Sequence, residues 1–241
     1  TNGLPIHERI PREIFETILH LCVGFETPVK DLISLQLVCR SWRDVIADTS
    51  FLWGTITTEE GPQAFRKTLG MAKDSLLDII FIDDGEIEAS EFFSMTGEKL
   101  DQWRSLSVES ESMGGALAFI QAQKPPKLNR LHLDAGYVEP SSQREIVLFG
   151  GAPAIGLKDV RLTRVPIRPA SLRLSGLKSL HLDGIPSITA EELIALLIES
   201  PDLEILHLNS LQGGGRRSHP SPTQTFRPIC PFTCLSSPNC T

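Results

Sequence analysis

The chain is poor in several things that would mark particular functions. No apolar run approaches the roughly 18 residues a membrane-spanning helix needs, so such a helix is not expected. Positive charge is in deficit, with 23 Lys+Arg against 30 Asp+Glu and a net charge of -7. A general nucleic-acid binder needs a basic face that displaces counterions, so that class is disfavoured. There is no Gly-x-Ser-x-Gly elbow, no His-Glu-x-x-His and no glycine-rich phosphate loop after a strand. The pairs Gly114-Gly115 and Gly150-Gly151 lack the further spaced glycines such a loop requires. No enzyme chemistry and no cofactor are expected. No basic segment followed by an apolar run opens the chain, although it begins at Thr1 rather than Met, which leaves room for residues upstream.

Cysteine is scarce where the sequence is patterned. Only Cys22 and Cys39 lie there, among apolar residues at helical spacing. They read as small buried hydrophobes of a reducing compartment, the cytosol or nucleus, rather than as a disulfide framework. Cys230, Cys234 and Cys240 belong to residues 212–241, which hold Arg216, Arg217 and Arg227 and no acid at all. Their spacing has no matching second half for a metal, and the prolines around them suit a disordered tail. The break follows Leu211, with Gly213-Gly214-Gly215 next. We expect the tail to lie outside the fold and to be non-native, such as read-through past an exon end.

The first fifty residues hold three short helical patterns. Pro11 suits a first helical turn, where its missing N–H is no loss. Ile14, Ile18 and Leu21 then make one apolar stripe, and Phe15, Leu19 and Cys22 a second, turned about 100° from it. Gly24 and Pro28 are expected to end this helix. A second helix is expected over residues 30–38 and a third over 41–47. Two apolar faces on one short helix need two packing partners. The second partner is either the rest of this chain or another protein, and spacing alone leaves both open.

The residues carry a resemblance that bears on this choice. Ile10-Pro11-Arg12-Glu13-Ile14-Phe15, Val38-Cys39-Arg40-Ser41-Trp42-Arg43 and Leu52-Trp53 resemble an F-box, with Ile10 where the family usually has Leu. The likeness spans residues 10–53 and is nearest to the F-box proteins abundant in mushroom-forming fungi. It implies docking on a Skp-type adaptor and, through it, a cullin-RING (SCF-type) ubiquitin ligase. Carried over, adaptor contacts fall on Ile10, Pro11, Ile14, Ile18, Leu32, Leu35, Val38, Cys39 and Trp42, some of which, notably Trp42, instead hold the helices together.

A second pattern follows. Leu-x-x-Leu-x-Leu, with other apolar residues allowed, recurs at Leu77, Ile80, Ile82; Trp103, Leu106, Val108; Leu128, Leu131, Leu133; Leu157, Val160, Leu162; Leu177, Leu180, Leu182; and Leu203, Leu206, Leu208. Leucine-rich repeats recur every 20–29 residues or so, as these copies do. The second and third apolar positions are expected to point inward. Helices are expected over residues 88–100, 112–123 and 189–200. In the last of these, Thr189 and Glu192 form a capping box, Leu193, Leu196 and Leu197 face the core, and Pro201 stops the helix. Pro166, Pro169 and Pro186 mark irregular turns. The repeats resemble the degenerate leucine-rich repeats found behind F-boxes. A doubly wound βαβ sheet is the alternative, disfavoured for want of a phosphate loop.

The expected fold is therefore α plus α/β: a three-helix F-box over 4–56, a short irregular leucine-rich-repeat solenoid over 57–211, and the tail. One outward residue lies between the two inward ones of each repeat: Phe81, Ser107, His132, Arg161, His181 and His207. Two places earlier stand Ile79, Ser105, Arg130, Asp159, Ser179 and Ile205. These are a solvated strand face, or a target-binding face built on Arg130, His132, Arg161, His181 and His207 for an acidic or phosphorylated segment. His181 and His207 lack further ligands for a metal. The acidic pairs Glu59-Glu60 and Asp83-Asp84 read as solvated turns. The resulting expectation is a substrate receptor without covalent chemistry of its own. The alternative is a non-degradative interaction module or a degenerate F-box protein without a target.

Overall fold

A computed structural model of the protein describes residues 9–83, 85–111, 113–136, 147–152, 154, 156–165, 174, 176–185 and 189–210. Residues 4–8 of the expected F-box domain, Asp84, the turns at Pro166, Pro169 and Pro186, Leu211 and the tail 212–241 lie outside them.

Three helices come first: α1 (Arg12–Cys22), α2 (Pro28–Gln36) and α3 (Arg40–Asp48). Pro28 opens α2 rather than ending α1, because a proline at the first helical position gives up no hydrogen bond. A 3-10 turn (Ser50–Trp53) leads into β1 (Thr55–Thr57), then α4 (Gly61–Met71) and β2 (Leu77–Ile82). There follow α5 (Ala89–Gly97), β3 (Trp103–Glu109), α6 (Gly114–Ala122), β4 (Arg130–Asp134), β5 (Asp159–Thr163), β6 (Ser179–Asp183), α7 (Ala190–Glu199) and β7 (Ile205–Asn209).

The strands form one parallel sheet in the order β1-β2-β3-β4-β5-β6-β7. Among the described residues seven strands are present where six were expected. The missed one, β1, lies within a copy of the motif formed by Trp53, Ile56 and Thr58, all buried, at the same Leu-x-x-Leu-x-Leu spacing with threonine in the last place. It runs across the expected boundary between residues 56 and 57.

One inward layer joins Ile56, Ile79, Leu106, Leu131, Val160, Leu180 and Leu206 in register. A second joins Phe81, Val108, Leu133, Leu162, Leu182 and Leu208. The expected inward pair Ile80 and Ile82 is therefore corrected to Ile79 and Phe81, which are fully buried. Apolar side chains on both faces of β2 leave its pattern readable in two ways, and a one-residue slip turns every side chain over. The register itself shifts between Leu77 and Asp78, where β3 holds one residue more.

The backbone repeats along with the side chains. The carbonyl of Asn129 accepts from Lys158 and Asp159, that of Lys158 from Lys178 and Ser179, and that of Lys178 from Glu204 and Ile205. Just beyond β5, β6 and β7, Arg164, Gly184 and Ser210 all take a positive φ, at 56°, 62° and 48°. At Gly184 a Cβ would also meet the Arg164 side chain at 2.9 Å, so glycine suits both the space and the conformation there.

The core lies on the inward side, against the connecting helices. Phe65 of α4 and Phe92 of α5 stand 5.0 Å apart, Phe81 lies 5.3 Å from Phe92, and Phe93 lies 5.3 Å from Phe119 of α6. Trp103 joins the cluster, 5.7 Å from Phe119, and its indole N–H donates to the Thr96 carbonyl at 3.0 Å. That bond satisfies a polar group that would otherwise be buried unpaired. In α7 the capping box forms as expected, with Glu192 N–H donating to Thr189 Oγ1 at 3.2 Å and Thr189 N–H to Glu192 Oε2 at 2.9 Å. Of its three expected core residues only Leu196 is buried; Leu193 is half-buried and Leu197 exposed, because α7 packs at the sheet's last edge.

Candidate functional site

Two surfaces hold the candidate residues. The first is on the three N-terminal helices. Pro11 sits before α1, and its carbonyl accepts from the N–H groups of Ile14 and Phe15, both at 3.1 Å. Phe15 meets Trp42 edge-on at 5.1 Å, which turns the Phe15–Leu19 stripe into the core. Glu16 ties α1 to the end of α3, accepting from Arg12 Nε at 2.7 Å and from Thr49 Oγ1 at 2.9 Å. The other stripe of α1 faces outward: Ile14 is 53%, Ile18 43% and Leu21 64% exposed. None of the other described residues covers it. Leu37 and Val38, just past α2, are exposed as well, at 75% and 59%.

The other expected adaptor contacts are placed unevenly. Pro11 is exposed, and Ile10, Leu35, Cys39 and Trp42 are half-buried. Leu32 is a correction: it is wholly buried, packed in the core with Val29, Ile46 and Leu52, and presents no surface to a partner. Cys22 is exposed rather than buried, because it lies at the last turn of α1; it and Cys39 are free thiols. Sequence reasoning missed Leu37, Val38's exposed neighbour, and Ile33 and Phe25, which are also exposed. It also took Glu60 for a solvated turn residue, whereas its carboxylate accepts from the N–H groups of Val29 and Lys30 at the start of α2, at 2.8 and 2.7 Å.

The second surface is the outward face of the sheet. Its central column runs Ile80, Ser107, His132, Arg161, His181, His207 in unbroken register. The neighbouring column runs Asp78, Ser105, Arg130, Asp159, Ser179, Ile205. Ile80 and Asp78 thus replace the expected Phe81 and Ile79, for the register reason given above. The four-residue run from His132 to His207 is brought together as expected. Arg130 stands apart from it, in the neighbouring column.

Asp78 is buried beneath this face. It accepts from Arg104 through both Nε, at 3.1 Å, and an NH2 group, from Ser105 Oγ at 2.6 Å, and from Arg130 at 3.3 Å. Burial pushes its carboxyl up, but the hydrogen bonds from Arg104 and Ser105 and the charges of Arg104 and Arg130 outweigh burial and hold it below the ordinary range. His132 Nδ1 lies 3.2 Å from Ser107 Oγ, and His181 stacks on His207 at 4.4 Å with planes 5° apart. Burial, then the nearby Arg161 charge, holds both His132 and His181 below the usual imidazole value.

Among the described residues no three His, Cys, Asp or Glu side chains converge to hold a metal ion, and no helix is long and apolar enough to cross a membrane. A cleft lined by His20, Phe51, Ser75, Leu76 and Arg104 lies between the two surfaces, with its arginine committed to Asp78.

No curated protein and no solved structure matches the chain. The family model described as F-box-like matches residues 7–59, which include α1, α2, α3, the 3-10 turn and β1. The chain therefore carries an F-box-like domain over residues 7–59, followed by a mixed α/β region with a parallel sheet.

Proposed function

We propose that the protein is the substrate-receptor subunit of an SCF-type ubiquitin ligase. The F-box-like helices dock on a Skp-type adaptor, which links them to a cullin. The sheet region is a short solenoid of degenerate leucine-rich repeats, and its outward face holds the target. The chain contributes binding and geometry to ubiquitin transfer and performs no covalent step itself. Its place is the cytosol or nucleus, which suits two free thiols in the described part.

The observation that carries this reading is the uncovered Ile14, Ile18, Leu21 stripe, within residues that match the F-box-like model. Burying side chains of this kind contributes about 1.5–3 kcal/mol each when complete. The sequential strand order and the repeated backbone pattern support the solenoid.

Co-purification with a Skp-type adaptor tests the proposal. Wild-type protein is expected to form a stable complex, and Ile14→Asp to lose it while keeping its circular dichroism. An unpaired carboxylate at an apolar interface costs several kcal/mol. No complex with wild type overturns the reading. A ubiquitylation assay with a captured partner then separates a degradative receptor from a non-degradative or target-less relative.

A further inference from the structure

The last edge of the sheet is open. β7 ends the strand order, and among the described residues nothing pairs with its far side. Ile205 N–H donates to the Lys178 carbonyl, and the Asn209 carbonyl accepts from Gly184 N–H, so residues 205, 207 and 209 turn their backbone groups toward β6. Successive residues alternate, so Leu206 and Leu208 turn theirs to the open side. The edge carries none of the usual guards: no proline, no lysine and no break in register from Ile205 to Asn209. Beside it the layered core ends uncovered. Leu206, in line with the fully buried Val160 and Leu180, is 38% exposed; on α7 Ile194, Leu197 and Ile198 are exposed too, the last at 74%. At the other end of the sheet Ile56 and Thr57 of β1 are buried, so that end offers no comparable edge.

We propose that β7 and α7 bind the same surface of a second copy of this chain, giving a two-fold dimer with a continuous sheet. One open edge per chain permits a closed pair rather than a filament, and a two-fold axis sets the two β7 strands antiparallel. The open-side backbone groups are self-complementary. With the axis at His207, Leu206 of one copy stands opposite Leu208 of the other, and each such pair exchanges two N–H to carbonyl bonds. The two His207 residues form the non-hydrogen-bonded pair between them, with Cα atoms about 4.5 Å apart. Both inward faces then lie on one side, so Leu206, Leu208 and the exposed side of α7 meet their copies. Ile194, Leu197, Ile198 and Leu206 together offer on the order of 400 Å² of apolar surface, in the range of the largest patches found on monomers. The paired backbone and the polar rim of α7 bring this toward the about 800 Å² per partner of a stable interface. Charge opposes the contact. Residues 189–210 hold Glu191, Glu192, Glu199, Asp202 and Glu204 and no Lys or Arg. Glu192 is engaged in the capping box and Glu204 by Lys178 at 2.8 Å, while Glu191, Glu199 and Asp202 are exposed, where salt screens them within about 10 Å.

Sedimentation equilibrium on the full chain is the first test. The expected result is a reversible dimer of the 26.6 kDa chain that tightens as salt is raised. Leu206→Lys and Ile198→Lys are each expected to weaken it at least tenfold with circular dichroism unchanged. Ile198 is mostly exposed, so its variant carries the test even if Leu206→Lys fails to fold. Register is tested by cross-linking, in the full chain with its five cysteines replaced by serine. His207→Cys is expected to form a disulfide between copies under mild oxidation, because the spacing of that pair suits one. Asn209→Cys, two residues from the axis, is expected not to. A chain that stays monomeric, whether its own residues 211–241 cover the edge or nothing does, overturns the inference. So does a dimer that Ile198→Lys leaves intact, or one that cross-links through residue 209 and not 207. The Ile14, Ile18, Leu21 stripe lies on α1, outside this surface, so adaptor docking stands or falls separately.

Discussion

The Glu60 carboxylate, one residue before α4, receives the backbone N–H of Val29 at 2.8 Å and so closes the open end of α2. Its other oxygen takes Lys30 N–H at 2.7 Å. The residue that usually does this work, Thr27 at the N-cap, makes no such bond. A single carboxylate thereby joins the F-box-like helices to the sheet. Its negative charge also lies at the positive end of the helix dipole.

Glu60→Ala is expected to lower stability by about 1 kcal/mol, the usual loss of a helix cap, while Thr27→Ala changes little. Urea unfolding of the two variants checks this. Equal losses would show that Glu60 is not the cap.

The register of β2 makes a sharper prediction. Phe81 is fully buried among Phe92 and Phe93, whereas Ile80 faces outward. Phe81→Ala should therefore cost about 3–5 kcal/mol, and Ile80→Ala about 1 kcal/mol or less. The reverse order in thermal unfolding would restore the inward placement of Ile80.

Asp78 makes the fold acid-sensitive. Its carboxyl is held low in the folded protein, so the unfolded chain takes up the proton first. The stability it contributes is complete above the ordinary carboxylate value and is lost as pH falls through the depressed one. Asp78→Ala should cost about 2 kcal/mol at neutral pH, the scale of hydrogen bonds to a charged group. The loss should shrink as pH falls. A loss of the same size at pH 7 and in strong acid would count against the ionised carboxylate.

His132 and His181 act in a higher window. Both are held below the ordinary imidazole value, so the unfolded chain again binds protons first. Their neutral forms suit the fold above about pH 6.5, and stability should decline as pH drops below that. Replacing both with asparagine should flatten the thermal midpoint between about pH 6.5 and 5. A slope unchanged in the double variant would assign that window to other groups.

Much of this was legible in the residues. The two stripes of α1 were readable from spacing, and so was the capping box at Thr189. The column His132, Arg161, His181, His207 followed from counting along the repeats, because a parallel ladder copies spacing into register. What failed, failed for local reasons. Apolar residues on both faces of β2 erased the alternation that identifies an inward side. Thr58 hid the first strand, since a threonine fills an apolar place without looking like one. Cys22 sat at apolar spacing but at a helix end. Leu32 matched the docking motif and the core pattern equally well.

By itself the sequence determined the three N-terminal helices and how the later strands repeat, because turns, caps and spacing are local properties of the chain. It also determined that α1 has two faces needing cover. Tertiary structure decided which face is left open. Packing of Phe15 on Trp42 orients the helix and leaves Ile14, Ile18 and Leu21 outside, a choice that depends on contacts between separate helices. It likewise decided the charge of the sheet face. Asp78 takes up Arg104 and Arg130 only because the register places them together, and Arg161 is left without an ion pair among the described residues.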